Sequence, residues 1–135
     1  MGNVNIEQKT TFVVDASFVL AYLLPDEKDK NVGKMFSKFE KNQIAFISSH
    51  LLAFEVSNGL RSAVLQGRQE AKAARLLLDS FLNMGIIFEK INGKEVFDLS
   101  LEKSISIYDA SYAWLAKSKK IKLLTLDESL SRVLK

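Results

Sequence analysis

The amino-acid sequence predicts an α/β domain organised around a central, largely parallel sheet of four or five strands. Short runs rich in Ile, Val, Phe and Leu alternate along the chain with longer segments whose apolar residues recur at three- and four-residue spacing. The alternation is that of successive βαβ units. Size agrees: 135 residues, 47% of them hydrophobic and 26% charged, with one Pro and six Gly, suffice for one buried core and are too few for two.

The first strand is expected at Thr11–Asp15, and the others at Ile44–Ser48, Ile86–Glu89 and Lys122–Thr125. Each is short and β-branched or aromatic, as strands covered on both faces are. Helical spacing covers Ala16–Leu24, Asn31–Phe39, His50–Gln66, Arg68–Asn83, Lys94–Lys103, Tyr108–Lys119 and Glu128–Leu134. Pro25 closes the first helix, Gly67 divides the third from the fourth, and Gly85 ends the fourth. No repeat or flexible linker interrupts this order, so residues 11–135 read as one domain behind a polar segment, 1–10, expected to be mobile.

Composition narrows the chemistry. The chain has no cysteine, which excludes disulfides, thiol catalysis and cysteine-bound zinc or iron–sulfur groups, and fits a reducing cytoplasm. Its polar start lacks an apolar secretory core, and the apolar run that follows is too short for a membrane span. The net charge is +3 despite sixteen acidic residues. If several acids share one cleft, the remaining surface is basic enough for a polyanionic partner. Ordinary solvated lysines would give the same total.

Four acids interrupt or border apolar stretches: Asp15, Glu55, Asp109 and Asp127. Asp15 is the only charge between Thr11 and Leu24. A buried, unpartnered carboxylate costs on the order of several kcal/mol, so something must offset it. Asp15 and Asp127 each end a strand and precede a helix, at the sheet edge where open α/β folds place ligands. Each could equally be a helix N-cap. Asp109 opens a helix, where the macrodipole favours a carboxylate. Glu55 lies inside a mainly apolar helix with Asn58 three residues on, and reads alternatively as a solvated surface residue.

Taken together, the four could converge at one sheet edge. Two unit charges about 4 Å apart repel by about 4 kcal/mol at an effective dielectric of about 20, and a divalent cation relieves this. Oxygen ligands without cysteine point to Mg²⁺ or Mn²⁺. His50, the single histidine, reads as structural. The hydroxyls of Ser17 and Thr125, two residues from Asp15 and Asp127, could orient a carboxylate or a metal-bound water, or serve only as caps.

The motifs Val13-Val-Asp-Ala-Ser17, Glu55-Val-Ser-Asn-Gly-Leu-Arg61, Ser106-Ile-Tyr-Asp-Ala-Ser-Tyr112 and Leu123-Leu-Thr-Leu-Asp127 occur in this order. Over Phe12 to Leu130 the chain resembles the PIN domains, and most of all the VapC-type toxin ribonucleases. That resemblance implies an α/β/α fold, carboxylate-bound Mg²⁺ or Mn²⁺, and hydrolysis of RNA phosphodiesters to a 5′-phosphate and a 3′-hydroxyl. It matches Asp15, Glu55, Asp109 and Asp127 to the family's acidic residues, and Ser17, Asn58 and Thr125 to polar companions. The fourth acidic position varies among members, which makes Asp127 the least secure ligand. The resemblance further implies a homodimer and an antitoxin partner that blocks the cleft.

RNA meeting an acidic cleft needs a basic rim. Arg61, Arg68, Lys72 and Arg75 are candidates, as are Lys117, Lys119, Lys120 and Lys122, each of which could instead be an ordinary solvated residue. Tyr108, Tyr112 and Trp114 could stack on unpaired bases or belong to the core. Three other readings compete: a PIN-like binding or scaffold module that no longer cuts, a PIN nuclease of RNA processing outside a toxin–antitoxin pair, and a phosphotransfer domain with Asp15 as acceptor. The last fits poorly, because residue 17 is serine where a dehalogenase-like phosphatase needs a second aspartate.

Overall fold

The computed structural model describes residues 9–134. Four strands, β1 (Thr10–Val14), β2 (Ile44–Ser49), β3 (Ile87–Glu89) and β4 (Leu123–Leu124), form one sheet in the order β3-β2-β1-β4. All three pairings are parallel. Helices α1 (Ala16–Leu23) and α2 (Lys30–Glu40) join β1 to β2, and α3 (Leu52–Leu65) and α4 (Ala71–Leu82) join β2 to β3. Two more, α5 (Gly93–Lys103) and α6 (Ile107–Lys119), lead to β4, and α7 (Glu128–Val133) follows it. Among the described residues the sheet therefore has four strands, within the range expected from sequence.

Strand order positions the site. The connections from β1 through β3 step one way across the sheet, whereas β4 returns to the other side of β1. Parallel crossovers are right-handed, so the two sets of helices cover opposite faces. Because α7 packs against α6, the chain leaves β1 and β4 toward opposite faces, and the carboxyl ends of these two strands are where open α/β folds hold ligands. Asp15 and Asp127 follow those two strands.

Apolar burial fixes the layers. Phe18 of α1, Phe36 of α2 and Phe46 of β2 are essentially inaccessible, and Phe39 stacks on Phe46 with ring centroids 4.5 Å apart. Phe36 meets Phe46 edge-on at 5.1 Å. Rings of this kind add about 0.5–1.5 kcal/mol per pair beyond the area they bury, and here they hold α1 and α2 on the sheet. Gly59 lets α1 and α3 run side by side, since a Cβ there would stand 2.4 Å from a methyl carbon of Leu20.

Several boundaries depart from the sequence reading, each for a local reason. Thr10 pairs with Ile44 and so belongs to β1; residues 1–8 of the polar segment lie outside the described residues. The third helix begins at Leu52, leaving His50 exposed in the turn after β2. The fourth begins at Ala71 instead of Arg68, because Gly67 takes a left-handed φ of 74° and the Arg68 N–H turns back to the Ala63 carbonyl. β4 is two residues long: Lys122 and Thr125 flank it, and the Thr125 side chain is engaged in the network below.

Candidate active site

Asp15 is the first residue beyond β1 and remains 3% exposed. It caps α1: its Oδ1 accepts from the Phe18 N–H at 2.9 Å and from the Ser17 hydroxyl at 2.7 Å. Its Oδ2 accepts from the Thr125 hydroxyl. Ser17 Oγ in turn accepts from the Leu126 N–H at 2.9 Å, and Thr125 Oγ1 from the Asp127 N–H at 3.0 Å. Capping and site-building are thus the same arrangement. The hydroxyls of Ser17 and Thr125 clasp Asp15 and tie the loop after β4 to the start of α1. With both oxygens engaged and almost no exposure, Asp15 is badly placed to attack a phosphoryl donor.

Glu55 lies in the first turn of α3, half-buried, and its Oε1 accepts from the Tyr112 hydroxyl at 2.6 Å. Asp109 lies in the first turn of α6, half-buried, with its N–H bonded to the capping Ser106 hydroxyl at 3.0 Å. Asp127 caps α7: its Oδ1 accepts from the N–H groups of Ser129 and Leu130 and from the Ser129 hydroxyl. Asn58 is exposed on α3, and no hydrogen bond among the described residues joins it to a carboxylate.

Burial raises the pKa of Asp15, Glu55 and Asp109 above the ordinary carboxylate range, and their mutual repulsion adds to it. Asp15 feels Asp109, Glu55 feels both Asp109 and Asp15, and Asp109 feels Asp127. The four acids therefore form one electrostatic group. Asp127 departs in the other direction, lowered first by its hydrogen bond from Ser129, with a smaller contribution from Arg132. The ion pairs among the described residues join Arg68, Lys103, Lys119 and Arg132 to other acids, so no lysine or arginine bridges Asp15, Glu55 or Asp109.

Such a group suits a hard cation by donor type and by uncompensated charge. Among the described residues, however, no three Asp, Glu or His side chains are arranged to hold a metal ion. Holding one would require side-chain rotation, for which Glu55 Oε2 and Asp127 Oδ2 remain free of hydrogen bonds among the described residues.

The basic candidates are scattered. Arg68 donates to Asp26 at 2.9 Å and to Glu27 at 2.6 Å, beyond the end of α1. Because α1 and α3 both start at the carboxyl edge and run side by side, this places Arg68 about 15 Å along α3 from Glu55. Its guanidinium is committed to a fold contact away from the carboxylates. Arg61 and Arg75 flank an apolar groove of about 270 Å³ between α3 and α4, with Leu60, Val64 and Leu78 in its wall. Lys72 is exposed on α4, Lys119 approaches Glu89 at 3.8 Å, and Lys120 closes α6 with a left-handed φ of 57°. Lys117 and Lys122 line a separate cavity between α6 and α7. None is paired with the carboxylate group.

Of the three aromatic candidates, Tyr112 is fully buried and cannot stack on a base, and Trp114 donates to Glu95 at 3.1 Å. Tyr108 is exposed in the same turn as Asp109. His50 forms no ion pair with a carboxylate among the described residues. The Tyr112–Glu55 bond escaped the sequence reading. Its one available signal was that Tyr112 lies three residues after Asp109, on the same helix face.

Comparison with known proteins agrees with this architecture. The crystal structure of PAE2754 from Pyrobaculum aerophilum superposes with a TM-score of 0.75 at 27% identity, covering 93% of this chain and 86% of that one. Mycobacterium tuberculosis VapC20, described as a sarcin–ricin loop cleaving toxin, shares the fold with a TM-score of 0.62 at 16% identity, covering 90% of this chain and 93% of that one. In sequence the chain is 29% identical over 123 residues to Ribonuclease VapC3 of P. aerophilum, covering 88% of this chain and 91% of that protein. It is also 29% identical over 119 residues to Exonuclease VapC9 of the same organism, covering 88% and 82%. The PIN domain family model matches residues 12–135, and the chain therefore belongs to the PIN domain family.

Proposed function

We propose that the protein is a divalent-metal-dependent endoribonuclease and that Asp15, Glu55, Asp109 and Asp127 form its active site. The observation that carries this reading is the electrostatic group itself: three carboxylates at one sheet edge, each raised first by burial and further by another acid of the group, with no cationic side chain bridging them among the described residues. A fold retains such an arrangement at a cost in stability, and a site for a cation gives it a reason. The names of the relatives VapC3 and VapC9 support nuclease activity.

Mg²⁺ or Mn²⁺ bound by these carboxylates would acidify a water and neutralise charge on the scissile phosphate. The chain's own residues set the stage. Asp15 is locked by Phe18, Ser17 and Thr125 and presents a fixed charge. Glu55 and Asp127 each keep one carboxylate oxygen free of hydrogen bonds among the described residues, and either could accept a proton if a single cation is bound. Tyr108, exposed beside Asp109, is placed to stack on an unpaired base.

We assign the protein to a toxin–antitoxin pair on the strength of its VapC-named relatives, with an antitoxin covering the carboxylates and a homodimer as the working state. One competitor is a module of the same fold that binds RNA without cutting it. Purified protein on total RNA, with and without Mn²⁺, separates the two. Internal cuts that require Mn²⁺ and vanish in Asp15→Asn and Glu55→Gln are expected; Mn²⁺-independent binding without cuts would replace the nuclease reading. Mapping the cut positions also separates internal cleavage from trimming at chain ends.

A further inference from the structure

Tyr112 has no part in the chemistry proposed above, yet its hydroxyl is spent on one of the four carboxylates. Its ring is fully buried in the core, and the hydroxyl emerges to donate to Glu55 Oε1 at 2.6 Å. Glu55 is only half-buried, and no other side chain among the described residues bonds its carboxylate. Holding a half-buried glutamate in one pose costs side-chain entropy, and the Tyr112 bond is the side-chain hydrogen bond among the described residues that opposes this cost. The bond links α3 to α6, residues 57 apart in sequence.

The helix that carries Tyr112 also carries Asp109, one turn earlier on the same face. That face of α6 therefore supplies one carboxylate and holds a second. We propose that Tyr112 is a positioning residue for Glu55: by engaging Oε1 from a rigid, buried ring it fixes the carboxylate and leaves Oε2 as the oxygen available to a divalent cation. This rests on the reading of the acidic group as a metal-binding site. Hydrogen-bond partners that orient metal-bound carboxylates are worth about 10- to 100-fold in metal affinity. Satisfying a buried tyrosine hydroxyl would by itself produce the same bond, so the test must read Glu55 and not only the fold.

The experiment uses the full chain without RNA and measures Mn²⁺ binding by electron paramagnetic resonance for Tyr112→Phe, Glu55→Gln and the double variant. Tyr112→Phe keeps the ring and removes only the hydroxyl. Mn²⁺ affinity is expected to fall about tenfold or more. The Mn²⁺ concentration for half-maximal cleavage should rise by the same factor, while kcat at saturating Mn²⁺ changes far less. Added to Glu55→Gln, Tyr112→Phe should weaken binding no further. Unchanged Mn²⁺ affinity in Tyr112→Phe, with weakened affinity in Glu55→Gln, overturns the positioning role and leaves the metal site standing. Unchanged affinity in both overturns the metal-site reading and this role with it.

A second measurement needs no folded Tyr112 variant. With ¹³C at the tyrosine ζ carbon, the three tyrosines give three signals, assigned by replacing Tyr22 and Tyr108 with Phe. The Tyr112 signal should move on Mg²⁺ addition and saturate with binding. A Tyr112 signal that stays still while Mg²⁺ binds overturns the proposal.

Discussion

Replacing Asp15 with Asn separates the stability of the fold from its affinity for a cation. The substituted side chain keeps an oxygen for the Phe18 N–H and the Ser17 hydroxyl, and its amide can donate to Thr125 Oγ1, whose own hydrogen can turn to Ser17 Oγ at 3.4 Å. The clasp therefore survives, while a buried charge repelled by Asp109 disappears. In metal-free buffer Asp15→Asn should melt higher than the parent chain. Mn²⁺ should then stabilise the parent far more than the variant. At about 100 times its dissociation constant a ligand adds about 2.7 kcal/mol. A chain of 135 residues unfolds with an entropy of about 0.28 kcal/mol/K, so the parent should gain about 10 °C.

The pH dependence has a definite sign. Asp15, Glu55 and Asp109 have folded-state values above their ordinary ones, so between the two the native chain binds more protons than the unfolded chain. Their ionisation makes metal-free stability fall as pH rises from the ordinary aspartate value of 3.8 through the folded-state values. Asp127, lowered, has the opposite sign: its contribution is present above 3.8 and is lost as pH falls through its folded-state value. Thermal melts by circular dichroism near pH 5 and near pH 7, with and without Mn²⁺, test both parts. Asp15→Asn should flatten the fall with pH and remove most of the Mn²⁺ shift. An Asp15→Asn variant that gains as many degrees from Mn²⁺ as the parent would refute the argument.

Asp127→Ala should lose about 1 kcal/mol with its cap on α7, whereas Asp127→Asn should keep nearly all of that stability; cleavage surviving in the Asn variant would reduce Asp127 to a structural cap. Thr125→Val removes a donor from Asp15 and should push its pKa further up, so the acid limb of the cleavage pH profile should move to higher pH; an unmoved limb counts against Asp15 being ionised during the reaction. Arg68→Ala should alter stability little, as removal of a solvent-screened ion pair does, and leave RNA affinity and its salt dependence unchanged. A reduced salt slope on a binding titration would return Arg68 to the RNA surface.

Local signals made the fold readable. Four apolar runs marked the strands to within one residue at each end, and Pro25, Gly67 and Gly85 marked breaks. Where boundaries slipped, a tertiary contact had overridden the pattern, as where the Arg68 N–H turns back to Ala63. In the candidate site, Asp15 and Asp127 stood out because each follows a strand, a local property. Their link through Thr125 required β4 to lie beside β1, which no spacing discloses. Arg68 looked like a free cation because its partners, Asp26 and Glu27, are about forty residues earlier. Tyr112 looked like core, and it is core; that its last atom reaches Glu55 depends on how α6 crosses toward α3.

The clasp between the first strand and the loop after the last has a temporal consequence. Asp15 is made early in synthesis, but Thr125 and Leu126, which complete its surroundings, emerge more than a hundred residues later. A growing chain still missing those residues can hold Asp15 through Phe18 and Ser17 alone, without the Thr125 hydroxyl on its second oxygen. If the four acids form the proposed active site, that site stays incomplete until the loop after β4 has been made and has docked on the start of α1.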